Sequence, residues 1–172
     1  MLRTPIELSG LACVPSIGKS VRFRQNGRPR IRMPSNPVPV STDPIARFLA
    51  SPAFGVVGAS PRRDKYGNKV LRCYQQAGRR AVPVNPRETE IEGAACVASV
   101  LDLPEDVKSI SVITPPAVTE HVVEEAIRKG IEHVWMQPGA ESERAVKACE
   151  AAGINVIADG SCVLVVLGYR ER

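Results

Sequence analysis

The sequence predicts an α/β fold: a doubly wound, mainly parallel five-stranded sheet with helices on both faces. Three observations predict it. Short apolar runs alternate with amphipathic, helix-length segments from residue 54 to residue 158, the pattern of βαβ units. Each long amphipathic segment stops at a glycine: Gly78, Gly130 and Gly153. The segments that follow the strands are rich in Gly, Pro, Ser, Thr and Asn, so special backbone chemistry gathers on one rim. Ligands sit on that rim in open α/β sheets.

Asp43-Pro44 opens a short helix over 43–50, with Asp43 as cap and Pro44 at the first helical position. Ile45, Phe48 and Leu49 form its apolar stripe, and Ser51-Pro52 stops it. Strand one spans 54–58. Helix one spans 65–77, with Val70, Leu71 and Tyr74 on one face. Strand two, 81–84, closes at Asn85-Pro86. Residues 87–108 read as a loop-rich crossover with one helical turn around 98–101. Strand three, 109–114, closes at Pro115-Pro116. Helix two spans 117–129, with Val118, Val122, Ala126 and Ile127 turned inward. Strand four is 133–136, helix three 141–152 and strand five 155–158. The whole reads as a Rossmann-like domain over 43–172.

Charge is unevenly spread. Residues 1–52 hold eight Lys/Arg against two acids, and the rest hold fifteen against sixteen. The basic character therefore belongs to the N-terminal segment. Residues 1–42 are Pro-rich, lack periodicity and contain a single acid, Glu7. They read as a disordered tail. The competing reading is a mitochondrial targeting segment, which would move the expected location from the cytoplasm to the matrix. Aromatics make up 4% of the chain, too few for the stacking platforms of a nucleic-acid binder. No apolar run reaches membrane-spanning length; 162–167 is too short. Five cysteines without a C-x-x-C argue against a disulfide framework or a structural zinc site.

Residues 54–68, F-G-V-V-G-A-S-P-R-R-D-K-Y-G-N, are a strand feeding a phosphate-cradling turn and then a helix. Small residues let backbone N–H groups approach a ligand, and the helix N-terminus favours anions. The dinucleotide spacing G-x-G-x-x-G is absent. Strand two ends in Asn85-Pro86-Arg87 rather than the acid that an NAD ribose requires. An Arg there suits a ribose carrying an extra phosphate, as in NADP or coenzyme A.

The runs VVGAS…KYGNKV, AVPVNPRETEIEG, DLP, SVITPPAVTEHVVEEAIRKGIEHVWMQPGA and AAGINVIADGSC follow in order over 53–165. They resemble stand-alone CoA-binding domains. These are Rossmann-like proteins similar to the N-terminal domain of the succinyl-CoA synthetase alpha subunit and of ADP-forming acyl-CoA synthetases. The resemblance implies that CoA or an acyl-CoA binds at the strand ends. By motif, Gly58, Ala59 and Ser60 face the pyrophosphate, and Lys65, Tyr66, Gly67 and Asn68 flank the phosphates. Val84, Asn85, Pro86 and Arg87 lie beside the adenine and ribose phosphate. Thr114, Pro115 and Pro116 follow the pantetheine arm, and Gln137 stands where the thiol end arrives. The implied partners are a second copy of the chain or a grasp-domain synthetase subunit. In many relatives strand five runs into Asp-Arg-Cys-Pro, whereas this chain has Asp159-Gly160-Ser161-Cys162.

Nothing in the sequence assembles a catalytic set. The synthetases use a phosphorylated His on a further domain, and thirteen residues follow Asp159 here. His121 and His133 read as surface or packing residues. Ser60 has no identifiable base. Cys162 is the sharpest candidate for chemistry, but the only charge close by in sequence is Asp159, which disfavours a thiolate, so the preferred reading is a buried inert thiol. The expectation is a binding module without catalysis of its own. The alternatives are an NADP-dependent oxidoreductase and a synthetase subunit completed in trans.

Overall fold

The computed structural model describes residues 42–171. The expectations of a disordered or targeting tail fall on residues 1–41, outside those described. The elements are α1 Pro44–Leu49, β1 Ala53–Val57, α2 Tyr66–Gln76, β2 Arg80–Val84, β3 Glu90–Ile91, β4 Ala94–Ala95, β5 Ser109–Val112, α3 Pro116–Lys129, β6 His133–Met136, α4 Glu143–Ala151, β7 Asn155–Ile157 and α5 Val163–Val166. The five long strands form one parallel sheet in the order β2-β1-β5-β6-β7. The chain winds outward from β1 to β2, then crosses back to β5 and continues the other way. The winding therefore reverses between β1 and β5, and a crevice opens at their C-terminal ends.

Every residue of β1 and β5 is buried, as parallel strands covered on both faces must be. One face carries α1, α2 and α5. There Phe48 packs on Phe54 and Trp135 at centroid distances of 5.4 and 5.3 Å, and Tyr74 stacks on Phe54 at 4.7 Å. The other face carries α3 and α4, with Val122, Val123, Ala126, Ala145 and Cys149 against Ile110, Val112, Val134 and Met136. Asp43 caps α1 by accepting from the Ile45 N–H at 3.0 Å, with Pro44 at the first position, as expected from the sequence.

Three details differ from the sequence reading. The inward stripe of α3 is Thr119, Val122, Val123 and Ala126, while Val118 and Ile127 are 46% and 40% exposed. The apolar positions 118, 122 and 126 advance by four, and that spacing drifts off a 3.6-residue face. The crossover 87–108 contains the β3–β4 hairpin, and Val97 then lies parallel to Val84 beside β2. Its helical turn is Val100–Asp102, capped by Ser99, slightly later than expected. Finally, α5 follows β7 where the sequence shows only an apolar run.

His133 supplies a pH-dependent join between α1 and β7. Asn155 Nδ2 can only donate, and it donates to the Pro44 carbonyl at 3.0 Å and to His133 Nδ1 at 3.1 Å. His133 Nδ1 must therefore be an unprotonated acceptor. Burial, then the nearby Arg47, lower the His133 pKa from its ordinary value. A folded-state pKa below the unfolded value of about 6.5 means that this stability is complete above that pH and is lost as pH falls. Denaturant midpoints should therefore decline on acidification below about 6.5, and less steeply in His133→Gln. An unchanged slope in the variant would assign the loss to other groups.

Candidate functional site

The crevice at the β1/β5 reversal is a cavity of about 800 Å³. Its floor begins where β1 ends. Gly58 turns the chain at φ +87°, and a Cβ there would press on the Ile113 carbonyl carbon and Thr114 Cγ2 at 3.3 Å. Only glycine takes that turn without strain. The next carbonyls are held by two side-chain amides, the half-buried Asn85 and the fully buried Asn68. Asn85 Nδ2 donates to the Ala59 carbonyl at 2.8 Å, and Asn68 Nδ2 to the Ser60 carbonyl at 2.8 Å. With those carbonyls engaged, the Ala59 and Ser60 N–H groups have no acceptor among the described residues. Lys65 at the N-cap of α2 makes no side-chain cap, which leaves the Tyr66 and Gly67 N–H groups open as well. Four donors and the positive end of an eleven-residue helix thus converge on one patch.

The charges around that patch are sorted. Arg62 forks onto Asp64 with contacts of 3.2 and 2.8 Å, and Arg63 forks onto Glu92 with contacts of 3.0 and 2.7 Å. These guanidinium groups hold both carboxyls below the usual carboxylate range. Glu92 also accepts from Asn68 Nδ2 at 3.1 Å, tying the hairpin to the turn. Lys65 and Arg87 line the cavity, and among the described residues their side chains have neither an ion pair nor a hydrogen bond. Two basic groups are thus left uncommitted at the cavity.

Twelve of the fifteen residues singled out from the sequence line this one cavity: Gly58, Ala59, Ser60, Lys65, Tyr66, Gly67, Val84, Asn85, Pro86, Arg87, Thr114 and Pro115. The other three stand behind it. Asn68 is fully buried under the turn, Pro116 opens α3, and Gln137 is fully buried with its Oε1 accepting from Val163 N–H and Tyr66 hydroxyl. The wall that sequence reasoning missed is apolar with a few polar groups. Val57 and Ile113 come from the strand ends, Ala98 to Val100 from the crossover, and Val118, His121, Val122 and Glu125 from α3. The last four recur at helical spacing along a stripe that overlaps the buried face at Val122, and that periodicity was the available signal. Glu125 Oε2 accepts from Ser99 Oγ at 3.1 Å and Val100 N–H at 3.2 Å, which pins the crossover to α3.

His121 is 83% exposed and lies 3.6 Å from Glu124, and His133 belongs to the α1–β7 join, so both sit as surface and packing residues. Among the described residues no group of three or more His, Cys, Asp or Glu could hold a metal ion, and no helix is long and apolar enough to cross a membrane.

Comparison with known proteins gives a consistent result. The ADP-forming acetate–CoA ligase I of Archaeoglobus fulgidus is 36% identical over 88 residues, 51% of this chain and 13% of the ligase. The uncharacterised protein YneT of Bacillus subtilis is 29% identical over 109 residues, 63% of this chain and 81% of YneT. Among solved structures, a conserved hypothetical protein from Pyrococcus furiosus superposes with a TM-score of 0.64 at 41% identity, covering 66% of this chain and 97% of that one. The dinucleotide-forming acetyl-coenzyme A synthetase 1 of Ca. Korarchaeum cryptofilum superposes with a TM-score of 0.55 at 25% identity, covering 63% and 26%. This chain therefore spans a small part of the ligases and most of the shorter relatives. The model of the CoA binding domain matches residues 53–167, from β1 through α5 and every residue that lines the cavity, and the chain belongs to that family, whose ligand is coenzyme A or an acyl-CoA thioester.

Proposed function

We propose that this domain holds CoA or an acyl-CoA in the cavity at the β1/β5 reversal and acts as a binding module without catalysing a reaction on a further substrate. The pyrophosphate rests on the open N–H groups of Ala59, Ser60, Tyr66 and Gly67, with Lys65 beside it. Arg87 pairs the ribose phosphate. Thr114 and Pro115 guide the pantetheine arm toward Tyr66. One observation carries this reading. Twelve motif residues drawn from four separate segments converge on one cavity, whose two basic side chains have no partner among the described residues.

Melting with CoA, acetyl-CoA, NAD, NADP and ATP tests it. CoA at a hundred times its dissociation constant should add about 2.7 kcal/mol of stability. Stabilisation by NADP without stabilisation by CoA would overturn the reading in favour of an oxidoreductase. We further propose that the module works with a separate grasp-domain protein or as a pair of identical chains. Co-purification and light scattering decide between these.

A further inference from the structure

Tyr66 lines the cavity, and behind it its hydroxyl joins a cluster that phosphate and pantetheine binding do not explain. The Tyr66 hydroxyl lies 2.8 Å from Cys162 Sγ and donates to Gln137 Oε1 at 3.3 Å. The same Oε1 accepts the Val163 N–H at 2.9 Å. That bond fixes the carboxamide, because the flipped amide would set its NH₂ against another N–H. Gln137 has no exposed surface, and its Nε2 has no partner among the described residues. Ser161 Oγ, next to Cys162, is also buried and unpartnered. Buried donors are rarely left unpaired in folded proteins. A half-buried thiol thus sits with a hydroxyl and a fixed N–H donor that lacks an acceptor. An acyl thioester offers the missing acceptor, a carbonyl oxygen, directly beside its sulfur.

The geometry points to Cys162 as an acyl acceptor: an acyl-CoA held in the cavity passes its acyl group to Cys162, with Gln137 Nε2 donating to the thioester oxygen and the Tyr66 oxygen, whose own proton goes to Gln137 Oε1, accepting from the Cys162 S–H and so orienting the thiol. This rests on the binding reading above. Cys162 Sγ adds to the thioester carbonyl carbon, and the oxygen takes up negative charge facing Gln137 Nε2. The bond from that carbon to the CoA sulfur then breaks. The proton lost by Cys162 ends on the CoA sulfur, so thiol and thioester exchange and no oxidant is consumed. Burial, then the bond to Cys162, raise the Tyr66 pKa, which keeps its hydroxyl a donor at neutral pH. The outcome is a single stoichiometric capture that leaves an acylated domain and free CoA.

The test is mass mapping of the full-length protein after incubation with acetyl-CoA, run beside melting with CoA. An acetyl group should appear on Cys162, be released by hydroxylamine, and accumulate ahead of any on Cys96, the other half-buried thiol among the described residues. A small acetyl thioester lacking the nucleotide should show no such preference. Cys162→Ala should lose the adduct and keep the stabilisation by CoA. Gln137→Met should slow acylation by about a hundredfold. If that variant melts without cooperativity, Tyr66→Phe takes its place, with slower acylation expected. Stabilisation by CoA with Cys162 unmodified, or modified no faster than Cys96, overturns the acyl-acceptor assignment and leaves the binding reading standing. Absence of stabilisation by CoA overturns both.

Discussion

Arg87→Glu should abolish the stabilisation that CoA gives while leaving the melting temperature of the free protein close to wild type. Arg87 is exposed, and its side chain holds no carboxylate, so the fold has little invested in it. Its backbone N–H is what the structure uses, donating to Asn85 Oδ1 at 2.9 Å, and the substitution keeps that bond. The ligand loses more. A charge-assisted hydrogen bond to phosphate is worth about 1.5–3 kcal/mol, and a carboxylate in its place adds repulsion. That sum is comparable to the whole shift of about 2.7 kcal/mol expected at a hundredfold excess over the dissociation constant. Arg87→Lys should keep part of the shift, because the charge remains but the planar fork is gone. Dephospho-CoA, which lacks the ribose phosphate, gives an independent readout. Wild type should respond more strongly to CoA than to dephospho-CoA, and Arg87→Glu should not distinguish them. A variant that still prefers CoA would place the ribose phosphate elsewhere.

Much of this architecture was legible because the chemistry of each segment is local. Asp43-Pro44 starts a helix by capping and fixed φ, and the structure shows both. The runs at 109–114 and 133–136 read as strands because they are short, carry β-branched or aromatic residues and are bounded by breakers, and residues 109–112 and 133–136 pair in register in the sheet. The phosphate turn was legible because small residues between a strand and a helix have few other uses. What could not be read depends on length or on distance. β3 and β4 contain two residues each, too few for any period. The four residues of α5 are uniformly apolar, so helix and strand predict the same sequence. The far wall of the cavity, from Ser99 to Glu125, exists because residues 26 apart in sequence meet through a Ser–Glu hydrogen bond. Neither segment alone signals that contact. The same holds for the Tyr66–Cys162 contact, which spans 96 positions.

Gly67→Ala should both destabilise the free protein and remove its response to CoA. On helical propensity alone the change should help, since Ala is favoured over Gly by about 1 kcal/mol inside a helix. Here the sign is reversed by a contact. A Cβ on residue 67 would sit 2.1 Å from the Gly58 carbonyl oxygen, 3.0 Å from its carbon and 3.2 Å from Ala59 Cα. All three are backbone atoms, so no side-chain rotation relieves the overlap. Either α2 moves off β1 or the turn moves off α2. Overpacking of this kind costs about 1–3 kcal/mol, and it exceeds the propensity gain because the overlap is well over half an ångström. The displaced unit is also the one that presents the Ala59, Ser60, Tyr66 and Gly67 N–H groups. Their convergence depends on α2 lying against the turn, and Asn68, the next residue, holds the Ser60 carbonyl from below. Moving the helix therefore opens the cradle and weakens the Asn68 bonds in one step. The measurement is a melt with and without CoA, read beside Arg87→Glu. Arg87→Glu should lose only the ligand response, while Gly67→Ala should lose both the response and intrinsic stability. A Gly67→Ala protein that melts like wild type and still responds to CoA would show that close packing of α2 against the Gly58 turn is not what builds the phosphate site.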